Sequence, residues 1–168
     1  VTISGNETVR GGGIYSLNSN PSISNTTISN NYANYGGGMY FDTDSEANLT
    51  NVSIINNSSS KSGAGLYVDS DANIILNNII IQGNIASLGG SGIMVYGNIT
   101  MNDVIISENV SSSYNEWDIP SGGGIYCHGC NANLTNVIIS NNTTQERGGG
   151  ISVENYAFVR LINVTITN

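Results

Sequence analysis

Positive charge is nearly missing from this 168-residue chain: Lys and Arg number 4 together, against 12 Asp and Glu, for a formal net charge of −8. Four cations cannot build a phosphate-tracking surface, which excludes nucleic acid as a partner and disfavours an anionic membrane surface. Apolar runs are short too. None approaches the roughly 18–20 residues of a membrane-spanning helix, so direct membrane insertion is not expected. Histidine and tryptophan occur once each, proline and cysteine twice each. No window shows a helical period of apolar residues, so the chain is read as all-β.

What the chain has in quantity is glycine and asparagine. Glycine clusters, each followed by an aliphatic residue, recur as Gly11-Gly12-Gly13-Ile14, Gly36-Gly37-Gly38-Met39, Gly63-Ala64-Gly65-Leu66, Gly90-Ser91-Gly92-Ile93, Gly122-Gly123-Gly124-Ile125 and Gly148-Gly149-Gly150-Ile151. The steps from one aliphatic residue to the next are 25, 27, 27, 32 and 26 residues. That period marks a solenoid, whose coils bury their apolar faces only against one another. In step with the glycines runs Ile-x-x-Asn, ending at Asn6, Asn31, Asn57, Asn84, Asn109 and Asn142. Another column stands at Asn25, Asn51, Asn78, Asp103, Asn136 and Asn163.

Between these marks the sequence alternates, as in Asn131-Ala132-Asn133-Leu134-Thr135-Asn136-Val137-Ile138-Ile139. Short period-two segments rich in Ile and Val read as β-strands. Each coil offers three: one after the glycine cluster, one ending near the corner asparagine, one running into the ladder asparagine. Six such coils predict a right-handed parallel β-helix with three aliphatic stacks inside. Those stacks are Ile14–Met39–Leu66–Ile93–Ile125–Ile151, Ile23–Leu49–Leu76–Met101–Leu134–Leu161 and Ile3–Ile28–Ile54–Ile81–Ile106–Ile139–Ile166. The corner asparagines suit left-handed backbone, and stacked amides hydrogen-bond up a ladder. The glycine clusters are not phosphate loops, because no Lys-Ser/Thr follows them and none opens a helix. Residues 1–168 form one domain, and the absence of a polar cap at either end predicts an excerpt of a longer solenoid.

The pairing of Gly-Gly-Gly-Ile with Ile-x-x-Asn resembles the GG[A/S/G]I and FxxN repeats of polymorphic outer-membrane proteins, within the pectin-lyase-like superfamily of β-helices. The resemblance covers essentially the whole chain, with Ile in each place where those repeats usually have Phe. It implies a secreted or surface-displayed region that serves adhesion or scaffolding, and it brings no catalytic residues. Composition agrees with an extracellular setting: 27 asparagines, many hydroxyl residues and one lysine. Twelve Asn-x-Ser/Thr sequons occur. Most fall on ladder or corner asparagines that the fold engages, which leaves Asn48 and Asn133, outward on the second strand, and Asn98, in the preceding turn, as the glycan acceptors.

Departures from the repeat mark the other candidate sites. An enlarged turn, 110–121, carries Tyr114, Glu116, Trp117 and Asp118. Loops on a rigid scaffold commonly hold function, and this set suits sugar stacking or a protein contact. The competing reading folds Trp117 over an exposed apolar stripe, Ile80, Ile105 and Ile138, which wants a cover or a partner. Tyr15, Tyr40, Tyr67 and Tyr126 point outward in register; they serve either as a polysaccharide platform or, more commonly, as a self-packing ladder. Asp42 and Asp44 in one turn stack on Asp69 and Asp71 in the next, where Ca²⁺ is the one cofactor the pattern would accept; solvated, splayed carboxylates are the alternative. Cys127-His128-Gly129-Cys130 is read as a local disulfide, because nothing supplies two further zinc ligands.

Many parallel β-helices process acidic polysaccharides. Lyase chemistry would need a cation beside a base, yet Arg10, Lys61 and Arg147 precede glycine clusters at a different corner from Asp42 and Asp69, and Arg160 lies apart. Hydrolase chemistry needs carboxylates converging on one face, and no strand face carries such a pair. The expectation is therefore a non-catalytic extracellular or cell-surface scaffold and adhesion module. Its partners would be neighbouring coils or chains, extracellular glycans or surface proteins. The alternatives are part of a polysaccharide-processing enzyme or a self-assembling filament or sheath.

Overall fold

The computed structural model describes residues 1–112 and 121–167. Every regular element among them is a β-strand, and all pairing is parallel, in chain order. The chain winds as a right-handed β-solenoid of about six turns. One sheet holds long strands such as Glu46–Ile55, Asn73–Gln82, Asn98–Ser107 and Asn131–Ser140. A second holds short strands that include Tyr32–Tyr35, Ser58–Ser62 and Ile85–Ala86. The third holds Ile14–Ser16, Met39–Phe41, Leu66–Val68, Ile93–Val95, Ile125–His128 and Ile151–Glu154.

The division of each coil differs from the sequence expectation. The two strands expected on either side of the corner asparagine are one strand, bent at a single residue. Asn77 pairs with Asn102 and Ile79 with Val104, so pairing resumes at once beyond Asn78. A bend of one left-handed residue is too brief to end the ladder. The third strand of the coil lies instead beyond the ladder asparagine. Asn98, expected in a turn, opens the strand Asn98–Ser107.

All three aliphatic stacks are in register as expected. Leu49, Leu76 and Met101 pair in succession, as do Ile54, Ile81 and Ile106. Met39, Leu66, Ile93 and Ile125 do the same on the glycine-side sheet. They merge into one core that runs the length of the solenoid.

Two amide ladders climb beside that core. In the inner one, Asn31, Asn57, Asn84, Asn109 and Asn142 are buried. Asn57 is typical. Its Nδ2 donates to the Ile28 carbonyl at 3.0 Å and to Asn84 Oδ1 at 3.1 Å, while its backbone N–H also donates to Asn84 Oδ1. Its own Oδ1 accepts from the N–H and Nδ2 of Asn31. Every hydrogen-bonding site on the amide is used, which is what burial demands. In the outer ladder Asn51 donates to Asn25, Asn78 to Asn51, Asn136 to Asp103 and Asn163 to Asn136, all at the exposed corner. These corner residues hold φ between 49° and 56°.

The inner ladder also explains why its motif travels with the glycines. A Cβ built on Gly65 would lie 3.1 Å from Asn84 Nδ2 and 2.5 Å from the Gly92 carbonyl oxygen. The third glycine of each cluster is the floor on which the next coil's asparagine sits. The first glycine has a left-handed φ, 65° at Gly63, so it is fixed by backbone conformation instead. The middle position is the variable one, occupied by Ala64 and Ser91 in two coils.

Candidate functional site

The outer face of the glycine-side sheet is built from two columns. Outward residues at the strand centres are Tyr15, Tyr40, Tyr67, Met94, Tyr126 and Ser152. Period two puts the residues two further on upon the same face: Leu17, Asp42, Asp69, Tyr96, His128 and Glu154. The columns bond diagonally. The Tyr15 hydroxyl donates to Asp42 Oδ2 at 2.6 Å, Tyr40 to Asp69 Oδ2 at 2.8 Å and Tyr126 to Glu154 Oε2 at 2.9 Å. Each tyrosine thus binds a carboxylate one coil ahead.

The rings also pack on one another. Tyr40 and Tyr67 stack with centroids 4.5 Å apart and planes 7° apart, while Tyr15–Tyr40, Tyr35–Tyr67 and Tyr67–Tyr96 lie at 5.7, 5.7 and 5.8 Å. His128 links Tyr96 to Tyr126 at 5.5 and 5.9 Å. Although they point outward, Tyr40 and Tyr67 are only 4 % and 9 % exposed. Their faces are spent on each other, so they form the self-packing ladder and not an open sugar platform. Between Tyr35 and Tyr96, above Tyr40 and Tyr67 and beside Arg10 and Asp69, lies a cavity of about 320 Å³.

Electrostatics follow from this packing. Burial pushes the Tyr40, Tyr67 and Tyr126 hydroxyls well above their ordinary range and raises Tyr96 as well, and the neighbouring carboxylates Asp69 and Glu154 push Tyr40 and Tyr126 further. Burial alone would raise Asp42, but the Tyr15 hydroxyl, the Thr43 N–H and hydroxyl and the Arg10 guanidinium outweigh it and hold Asp42 low. Arg10 Nη1 stands 3.2 Å from Asp42 Oδ2. Its guanidinium covers the Tyr40 ring at 5.4 Å, and the Lys61 ammonium covers Tyr35 at 5.5 Å.

These contacts bear on two expectations. Arg10 and Asp42 were placed at different corners, but the strand between those corners spans three residues, so Arg10 reaches the carboxylate of the next coil. Of the four aspartates, Asp42 and Asp69 are engaged by the Tyr15 and Tyr40 hydroxyls, and Asp44 and Asp71 are exposed. Among the described residues no three His, Cys, Asp or Glu side chains come together to hold a metal ion. Sequence reading missed Tyr35, Tyr96, Arg10 and Glu154 as members of this face. The period-two column beside the tyrosines was the available signal for Tyr96 and Glu154; Arg10 and Tyr35 share instead the position just before a glycine cluster.

The other sequence candidates fall elsewhere. Ile80, Ile105 and Ile138 are adjacent in register and 39 %, 40 % and 45 % exposed. Asn48, Asn98 and Asn133 are exposed on the first half of the long strands, with Asn98 Oδ1 accepting from Asn131. Cys127 and Cys130 are joined by a disulfide, and both are buried. Tyr114, Glu116, Trp117 and Asp118 lie outside the described residues.

With the fold and this face in view, comparisons with known proteins place the chain. A family model described as "Right handed beta helix region" matches residues 1–117, well over half of the chain. The "Chlamydia polymorphic membrane protein (Chlamydia_PMP) repeat" model matches residues 136–154, the stretch that holds Ile139-x-x-Asn142 and Gly148-Gly149-Gly150-Ile151. Neither the curated proteins nor the solved structures yield a match. The chain therefore belongs to the right-handed beta helix family.

Proposed function

We propose that this chain is a cell-surface scaffold and adhesion module without catalytic chemistry in this segment. The observation that carries the reading is the match of residues 136–154 to a repeat model named for a polymorphic membrane protein. The cross-coil bonding supports it. The outward carboxylates Asp42, Asp69 and Glu154 are engaged by tyrosine hydroxyls, which suits a rigid display surface better than a pair of mobile acids and bases. The contact surfaces would be the Tyr35–Tyr96 cleft and the Ile80–Ile105–Ile138 stripe, facing a surface protein or glycan.

The test is to display the chain on a non-adherent bacterium and count cells retained on an epithelial layer. Retention that falls on replacing Tyr35 and Ile105 by serine is the expected result. Release of unsaturated or reducing sugars from pectin or alginate by the purified chain would overturn the non-catalytic part. Retention no greater than that of a bare strain would overturn the adhesive part.

A further inference from the structure

Four of the twelve sequons have their acceptor amides in the inner ladder: Asn6 stands exposed in the first coil, and the other three are Asn57-Ser58-Ser59, Asn109-Val110-Ser111 and Asn142-Thr143-Thr144. Those asparagines are 1 %, 0 % and 5 % exposed. Glycosylation replaces one of the two Nδ2 hydrogens with a sugar. At Asn57 both hydrogens are donated, to the Ile28 carbonyl and to Asn84 Oδ1. At Asn109 they go to the Ile81 carbonyl and Asn142 Oδ1. The third glycine of the preceding coil closes the remaining space, with a Cβ on Gly38 already 3.1 Å from Asn57 Nδ2. No sugar fits there without separating two coils.

By contrast, the acceptors Asn25, Asn48, Asn51, Asn56, Asn98, Asn133, Asn141 and Asn163 are all exposed. Sequon recognition reads local sequence in an unfolded or extended chain, where buried and exposed sequons look alike. Folding therefore decides which of the twelve can carry a glycan.

We infer that N-glycosylation at Asn57, Asn109 or Asn142 is incompatible with coil closure, so that folded protein bears glycans only on exposed sequons. A sequon-glycosylating enzyme acting on the nascent chain would trap it unfolded. The structure also supplies a clean variant. Ser59 completes the Asn57 sequon, and its Oγ is the one buried side-chain polar atom among the described residues without a hydrogen-bond partner. Ser59→Ala abolishes glycan acceptance at Asn57 and removes no hydrogen bond from the scaffold.

The experiment expresses the chain and its Ser59→Ala variant in a host that N-glycosylates secreted proteins and in a bacterium that does not. Site occupancy is read by glycopeptide mass spectrometry in secreted, protease-resistant protein and in the retained fraction. Glycan on Asn57 in the retained fraction alone, with a severalfold rise in secreted yield for Ser59→Ala in the glycosylating host only, is the expected result. Secreted, protease-resistant protein with a glycan on Asn57, Asn109 or Asn142 would overturn the inference. So would the absence of glycan from all three sites in both fractions, since the buried sequons would then pose no hazard. An equal yield change in the bacterium would show that Ser59 acts through the fold, and would overturn the assignment to glycosylation.

Discussion

Asn84 and Asn78 stand six residues apart in one coil, each in a column of amides one coil apart, yet their surroundings oppose each other. Asn84 is buried, and every donor and acceptor on its amide is used. Asn78 is exposed, and its amide donates to Asn51 Oδ1 at 2.7 Å. Even the direction differs. From amide to amide, the inner column donates towards the later coil and the outer column towards the earlier one. The inner column holds asparagine throughout the described coils, while the outer column accepts Asp103, which has no N–H to offer Asn78. Burial separates the two roles. Where water is absent the amide itself is required; where water is present the left-handed backbone is what the position needs.

One substitution placed in both columns gives the largest contrast. Asn84→Asp removes the side-chain donor to the Ile54 carbonyl, leaves Asn109 Oδ1 only the backbone N–H of residue 84, and buries a charge; a loss of about 3–5 kcal/mol in urea unfolding is expected. Asn78→Asp reproduces what Asp103 already does, and should cost less than about 1 kcal/mol. Similar losses at the two sites would break the distinction.

Next in size is the floor beneath the inner amide. Gly65→Ala drives a Cβ against the Gly92 carbonyl and Asn84 Nδ2, with an expected loss of about 1–3 kcal/mol. A neutral result by thermal melting would mean that the two motifs are not coupled through this contact.

Alkali isolates the tyrosine face, because neither ladder contains a group that ionises there. The folded chain keeps phenol protons that the unfolded chain releases from an ordinary value near 10. Stability is therefore complete below about pH 10 and falls as pH rises through the higher folded values. Phenolate absorbance from Tyr40, Tyr67, Tyr96 and Tyr126 should appear together with loss of the sheet's circular dichroism. Separate ionisation near pH 10 in an intact fold would contradict the packing of this face.

Smallest is Asp103→Asn, which restores a donor towards Asn78. A gain of a few tenths to about 1 kcal/mol is expected in the same unfolding measurement. A loss would show that Asp103 has a role beyond its backbone angle.

The sequence carried the fold through features that repeat at one position per coil. Ile81, Asn84 and the third glycine, Gly92, can each be found by counting, because packing acts on them identically in every coil. The corner residues were visible for the same reason. The bend at Asn78 was misjudged as a strand end, since alternation alone does not say whether pairing continues past one left-handed residue. The left-handed residues just before the inner ladder, Gly5, Asn30, Asn56, Gly83, Glu108 and Asn141, also escaped notice because Glu108 hides the pattern. The tyrosine face was half visible. Its central column is a simple repeat, but its bonds run diagonally from Tyr40 to Asp69, so their partners lie 29 residues apart and out of phase with the period.

Both ladders and all three sheets direct their hydrogen bonds along the solenoid axis. A pull along that axis therefore loads every bond between two neighbouring coils at once, as in a stack of rungs glued face to face. The outer column lacks its amide link at one such plane, between Asn78 and Asp103. At that plane the neighbouring amide takes over the link, with Asn102 Nδ2 donating to Asn77 Oδ1 at 3.0 Å.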